Sequence, residues 1–237
     1  MKLKLDSKEV TKLINNIIRP VLIENGFKNY TGRKYWRYSS EKIDVISFQS
    51  FNSYNAEVLG CTTFSFAVNL ASFLNYIPSD TQFKEKNGLK RPDESQGYFR
   101  RSIKKSIEQK EFPREDIWLI DEKGKYLIDV INDCKNQIEN TAFTWFSKFE
   151  AKQEVLRILK EDDNDMNETW GFGNIDSPNR NKLIAYTAAS LGETKLAIEK
   201  FEKLKQYYKK EYDQFKYKYY LDKIKEINNE ISRLKLI

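Results

Sequence analysis

The residue types nearest to a bond-breaking set in this 237-residue chain are Asp93, Asp121, Glu122 and Lys123. In a restriction-type nuclease, carboxylates hold magnesium and a lysine orients the attacking water, so the groups must stand on adjacent strands. Asp93 follows Pro92 in a loop-like stretch, and Lys123 precedes Gly124, so the spacing disfavours that geometry. A magnesium nuclease is therefore the least favoured of three readings. Asp163, Asp165 and Asn167 occupy the first three ligand positions of a calcium loop. However, Glu168 replaces the required glycine, and Asn174 stands where the bidentate glutamate belongs. The chain has no histidine, which removes the usual general base, the usual proton shuttle and the commonest zinc ligand. Cys61 and Cys134 are unaccompanied and read as small buried thiols of a reducing compartment. Gly171-Phe172-Gly173 lacks the preceding strand of a phosphate-binding loop. No cofactor, metal or catalytic residue is expected.

The charge pattern suggests contact rather than chemistry. The formal net charge is +6, and residues 195–237 hold twelve Lys/Arg against seven Asp/Glu, while the charges between Glu161 and Asp176 are all acidic. Residues 207–220 interleave aromatics with lysines, the combination that base stacking uses. Tyr208, Tyr212, Phe215 and Tyr219 also follow helical spacing, the simpler role of a seam between antiparallel helices with lysines outside. Arg100, Arg101, Lys104 and Lys105 form a second basic cluster, for which a solvated surface is the simpler reading. No window approaches the ~18 uninterrupted apolar residues of a membrane span, and the N-terminus has no apolar signal region. A cytoplasmic location is expected.

The elements that must position these residues follow from periodicity. Asp6 or Ser7 caps a first helix, Glu9 completing a capping box from Asp6, and Val10, Leu13, Ile14, Ile17, Ile18 and Val21 recur at helical spacing, with Pro20 kinking or restarting it and Gly26 ending it. From Arg33 the period changes to two, giving a hairpin of two strands, the second running from Ile43 to Phe51. Phe64, Phe66, Val68 and Leu70 alternate with polar or small residues, as in a strand buried on one face. Residues 78–97 read as a long mobile loop. Residues 98–107 fit either a helical stripe or a strand, and Ile117–Ile120 is a short strand. Leu127 to Phe149 then marks a long helix continued by a second through Leu159. Ala185, Ala188, Gly192, Ala197, Phe201 and Leu204 stand at the offsets of one tetratricopeptide-like hairpin. Tyr217, Tyr220, Ile224, Ile227, Ile231 and Leu234 form a heptad seam that needs a partner helix, in this chain or in a second copy.

The fold class expected is α+β. An antiparallel sheet of four to five strands is packed by the N-terminal helix and the later long helices within residues 1–160. A linker spans 161–180, and a helical hairpin or bundle spans 181–237. Several short motifs follow one another in the order Ile18-Arg19-Pro20, Gly26-Phe27, Tyr35-Trp36-Arg37, Ile46-Ser47-Phe48-Gln49, Val68-Asn69-Leu70, Phe99-Arg100-Arg101 and Trp118. That order resembles a bacterial family known as domain of unknown function 4304 across about residues 8–150. The resemblance implies that residues 98–107 form a strand, and it brings no activity, substrate or cofactor. The chain departs from the family pattern at Leu119, where a second tryptophan is usual. The matching positions Trp36, Arg37, Gln49, Asn69, Arg101 and Trp118 are the candidate binding residues, since Trp and Arg favour interface anchoring. The expected function is a non-enzymatic protein-binding module of the bacterial cytoplasm, of the immunity or antitoxin kind. Nucleic-acid binding through the basic, tyrosine-rich C-terminal helices is the alternative.

Overall fold

The computed structural model describes residues 5–110, 112–124 and 126–236. Its contacts divide into two compact units, residues 1–73 with 81–147, and residues 74–80 with 148–237. The division at 147/148 falls ahead of the boundary near 160 expected from the sequence. In addition, a short upstream segment joins the C-terminal helices.

In the first unit, α1 (Ser7–Ile17) starts at Asp6, whose carboxylate accepts the backbone N–H groups of Lys8 and Glu9. Proline stands in the first turn of α2 (Arg19–Glu24), where its missing N–H costs nothing, so the chain restarts a helix instead of breaking. Gly26, at φ +89°, then turns the chain toward the sheet. Val10, Ile14, Ile18 and Leu22, four residues apart, are fully buried, and α1 packs on α4 (Leu127–Gln137).

The sheet runs β1 (Asn29–Thr31), β2 (Lys34–Tyr38), β3 (Lys42–Ser50), β4 (Phe66–Leu74) and β7 (Phe99–Ser102) in spatial order. β8 (Ile117–Trp118) pairs antiparallel with the first two residues of β4. The helix α3 (Ser53–Leu59) joins β3 to β4, capped by Asn52 and ended by Gly60 in the left-handed region. Residues 99–102 are thus a strand, as the family resemblance implies. Antiparallel register places Tyr35, Ile46, Phe48, Phe66, Val68, Leu70, Phe99 and Trp118 on one face. That face carries a chain of rings, Tyr35 to Phe48 to Phe66 to Trp118, the last pair stacked at 5.7 Å. Helix α4 continues through a π turn (Ile138–Ala142) into α5 (Phe143–Ser147), where Trp145 and Phe146 are both buried.

The opposite face is not open, as one-sided alternation would have it; nearly every residue of β4 is buried. Residues 78–97, expected to be a mobile loop, carry the hairpin β5 (Lys84–Lys86) and β6 (Leu89–Arg91). The hairpin packs on the second face. Trp36 donates its indole N–H to the Pro92 carbonyl, Tyr38 donates to the Lys90 carbonyl, and Phe83 meets Phe73 edge-on. Trp36, Ile43, Val45, Ala71 and Phe73 form the core beneath it. A second apolar group of Phe51, Ala56, Ala67, Phe112 and Ile117 lies on α3's side of the same face.

The second unit holds α6 (Lys152–Glu161), α7 (Pro178–Ser190), α8 (Thr194–Phe215) and α9 (Lys218–Leu234), each packed on the next. Ala185, Ala188, Ala197, Phe201 and Leu204 are buried where α7 crosses α8, and Gly192 takes φ +77° at the turn, as their spacing predicts. The heptad seam closes inside the chain for Ile227, Ile231 and Leu234, which are buried. Residues 161–180 are not a bare linker. Phe172 is fully buried with the Arg180 guanidinium 4.6 Å over its ring, and Arg180 donates to the Asp162 carbonyl. Asp80, from the upstream segment, bridges Lys182 of α7 and Lys223 of α9. Among the described residues no helix is long and apolar enough to cross a membrane.

Candidate functional site

Pleat parity divides the six candidate binding residues. Successive side chains of a strand point to opposite faces, so Trp36, Gln49 and Asn69 share the second face, while Arg37, Arg101 and Trp118 share the first. Only Gln49 and Asn69 are brought into contact. Trp36 is buried under the hairpin, and Trp118 is fully buried, its indole N–H donating 2.8 Å to Asp133 of α4.

Around Asp44 on the first face, polar groups are turned inward and paired. Asp44, 1 % exposed at its side chain, accepts two hydrogen bonds from Arg37 (3.0 and 2.7 Å) and one from the Ser72 hydroxyl (2.8 Å). It also lies 3.0 Å from Lys42 Nζ. Lys42 donates a further bond of 2.6 Å to the Phe146 carbonyl, and the Arg37 guanidinium lies 5.0 Å over Phe27. A buried carboxylate survives only when charge and lone pairs are met in this way. Half-buried Asp133 of α4 accepts from the Trp118 indole and from the amide and hydroxyl of Ser106. Asp44, Lys42 and Asp133 were not singled out by sequence reasoning, because a lone acid in an apolar strand carries no motif.

The second face differs. Between its two apolar groups runs a polar strip across three strands. The Ser102 hydroxyl donates 2.7 Å to Asn69 Oδ1, and Asn69 Nδ2 donates 2.8 Å to Gln49 Oε1. Gln49 is exposed, so this chain of donors ends in a carboxamide NH₂ at the surface. Each bond polarises the next and fixes the amide orientations, so the terminal donor is held in place before any contact is made. Ser102, the third member, follows the resemblance motif by one residue and could have been found from the cross-strand register alone.

Along the strip's rim, Lys34 Nζ lies 2.5 Å from Asp93 and 3.0 Å from Glu94. Burial and a hydrogen bond to Asp93 raise the Glu94 carboxyl, while that same bond and Lys34 hold Asp93 below the usual range. Burial opposes the charged form of Lys34, but its two carboxylate partners leave its pKa raised. Asp93 is thereby committed to a surface ion cluster and a turn with Gln96. Asp121 accepts the Lys123 backbone N–H in an exposed turn after β8, so the nuclease set is not assembled on adjacent strands. Among the described residues no three Cys, Asp or Glu side chains group so as to hold a metal ion. The acidic run packs through Asn164, whose side chain accepts the Gly171 amide; the Asn167 side chain lies outside the described residues. Burial raises both cysteine thiols, Cys134 well above its ordinary value, which keeps them protonated and poorly nucleophilic.

No curated protein and no solved structure matches this chain. A family model described as Domain of unknown function (DUF4304) matches residues 18–148, which takes in the whole sheet, the polar strip, buried Asp44 and half-buried Asp133. The chain belongs to the DUF4304 family.

Proposed function

We propose that this protein is a non-enzymatic protein-binding module whose docking surface is the polar strip on the second face of the sheet. The observation that carries this reading is the directed chain Ser102 to Asn69 to Gln49 ending in an outward amide donor. Its polar groups are spaced along adjacent strands, and a donor already fixed in place loses little freedom on meeting a backbone carbonyl of a partner. The flanking apolar groups are covered by the hairpin and α3, so the strip offers recognition by hydrogen bonding within a rigid frame.

A photo-crosslinking residue placed at Gln49 in the native host tests this against the same residue placed at Lys195. The expected result is one protein trapped from position 49 and not from 195. Reconstituted with purified chain, that partner should bind at least about tenfold more weakly to Asn69→Ala and Gln49→Ala, a loss of about 1.4 kcal/mol. No position-specific adduct, or binding indifferent to both substitutions, overturns the proposal.

A further inference from the structure

The α8–α9 turn gathers aromatic rings that the core does not need. Lys216, at φ +56°, reverses the chain within two residues, so the last turns of α8 lie beside the first turn of α9. Tyr208 is buried there and meets Tyr219 at 6.4 Å and Tyr220 at 6.2 Å, which accounts for the turn's stability. The rings around it remain open to solvent: Tyr217 is 63 % exposed, Tyr219 49 %, Phe215 44 % and Tyr207 38 %. Phe215 and Tyr217 lie nearly parallel, 6° apart with centroids at 6.0 Å, a flat aromatic step on the surface.

The charges around these rings are lopsided. Glu211 accepts from the Tyr220 hydroxyl and Asp213 pairs with Lys216, so of the three nearby acids only exposed Asp222 has no side-chain partner among the described residues, against three such lysines. Lys209, Lys210 and Lys218 are exposed, and no ion pair within the described residues includes them. Flat rings interleaved with uncompensated cations complement a ligand that alternates planar bases with phosphates. A protein partner would be served by the rings but not by three unpaired lysines between them.

We propose that the α8–α9 turn is a binding platform for single-stranded nucleic acid, bases stacking on Tyr217, Phe215 and Tyr219 while Lys209, Lys210 and Lys218 meet phosphates. The site lies in the second compact unit and is independent of the docking strip proposed above. Stacking reads ring faces and not base edges, so the platform accepts sequence broadly.

Fluorescence anisotropy of the full chain with labelled oligo-U and oligo-dT of about twelve nucleotides tests this. The expected result is saturable binding at about 50 mM salt that weakens steeply by 200 mM. Tyr217→Ala with Tyr219→Ala should weaken it at least about tenfold, with Tyr217→Trp retaining affinity. Lys209→Gln with Lys218→Gln should flatten the log affinity against log salt slope by about 0.7 per lysine. Preference between the two oligomers decides whether RNA or DNA is the ligand. Absence of binding at low salt, equal binding of a duplex, or affinity unchanged by the ring and lysine variants each overturns the proposal. Because every substituted side chain is exposed, unchanged circular dichroism separates loss of binding from loss of fold.

Discussion

The two faces of one sheet put their polar side chains to opposite ends. On the helix-covered face, Asp44 and Asp133 collect donors until none is left over, and their bonds close on the chain itself. On the other face, Ser102, Asn69 and Gln49 pass hydrogen bonds in one direction until a donor is left at the surface. A single residue step along a strand decides which fate a polar group meets. Trp36 and Arg37 are neighbours in sequence, yet one packs under a hairpin and the other binds a buried carboxylate. Residue type alone therefore does not identify a recognition surface; the direction in which its hydrogen bonds run does.

Substitution can break this contrast, most strongly on the inward face. Asp44→Ala leaves Lys42 and Arg37 facing each other without their anion, and should cost about 3–5 kcal/mol in chemical denaturation. If it costs less than a surface change, the inward network is not structural and the contrast fails. Asp133→Ala strands the indole N–H of fully buried Trp118 and the two donors of Ser106, an expected loss of about 1–3 kcal/mol by the same measurement.

The rim cluster of the second face should respond more through titration than through stability. Lys34 is one-third exposed, so Lys34→Met should cost under about 1 kcal/mol. Carboxyl NMR titration should show the midpoints of both Asp93 and Glu94 moving up in that variant. The signs of the two carboxyls oppose each other. Asp93's contribution is complete above its ordinary range and is lost as pH falls through its lowered folded value. Glu94's contribution is present below its ordinary range and is lost as pH rises through its raised folded value. An unchanged titration would mean that Lys34 does not hold the pair. Least of all, Gln49→Ala should leave stability within about 0.5 kcal/mol of the parent, while binding at the strip weakens at least about tenfold. A large loss of stability there would move Gln49 to the structural side of the comparison.

Local patterns made much of this legible. The Asp6 cap, the β2–β3 hairpin and the small residues crossing between α7 and α8 are each set by residues close in sequence, and each forms as its spacing predicts. The β5–β6 hairpin went unread because Lys84-Glu85-Lys86 and Leu89-Lys90-Arg91 show no apolar alternation. A signal was nonetheless present in Asn87-Gly88, both at positive φ, the pair that a two-residue hairpin turn favours. Of the six candidate site residues, the split between faces was available from parity, since 36 and 37 cannot share a face. What could not be read was which face would be covered, because that depends on a hairpin some fifty residues downstream meeting Trp36 and Tyr38. Asp44 illustrates the same limit: Lys42 stands two residues away on the same strand, but Ser72, 28 residues on, and the Phe146 carbonyl that Lys42 also meets come to the pair only in the folded chain.

The ion bridge of Asp80 bears on how the molecule is made. Lys182 follows it by 102 residues, and Lys223 emerges from the ribosome later still. During synthesis, Asp80 must therefore wait without Lys182 and Lys223 while the rest of the first unit is completed. Closing so long a loop is slow beside the local packing of α7 on α8 and α8 on α9, so the clasp follows the helices it joins. A fragment beginning at residue 148 would be born without this clasp, and supplying residues 74–80 as a separate peptide should tighten its fold.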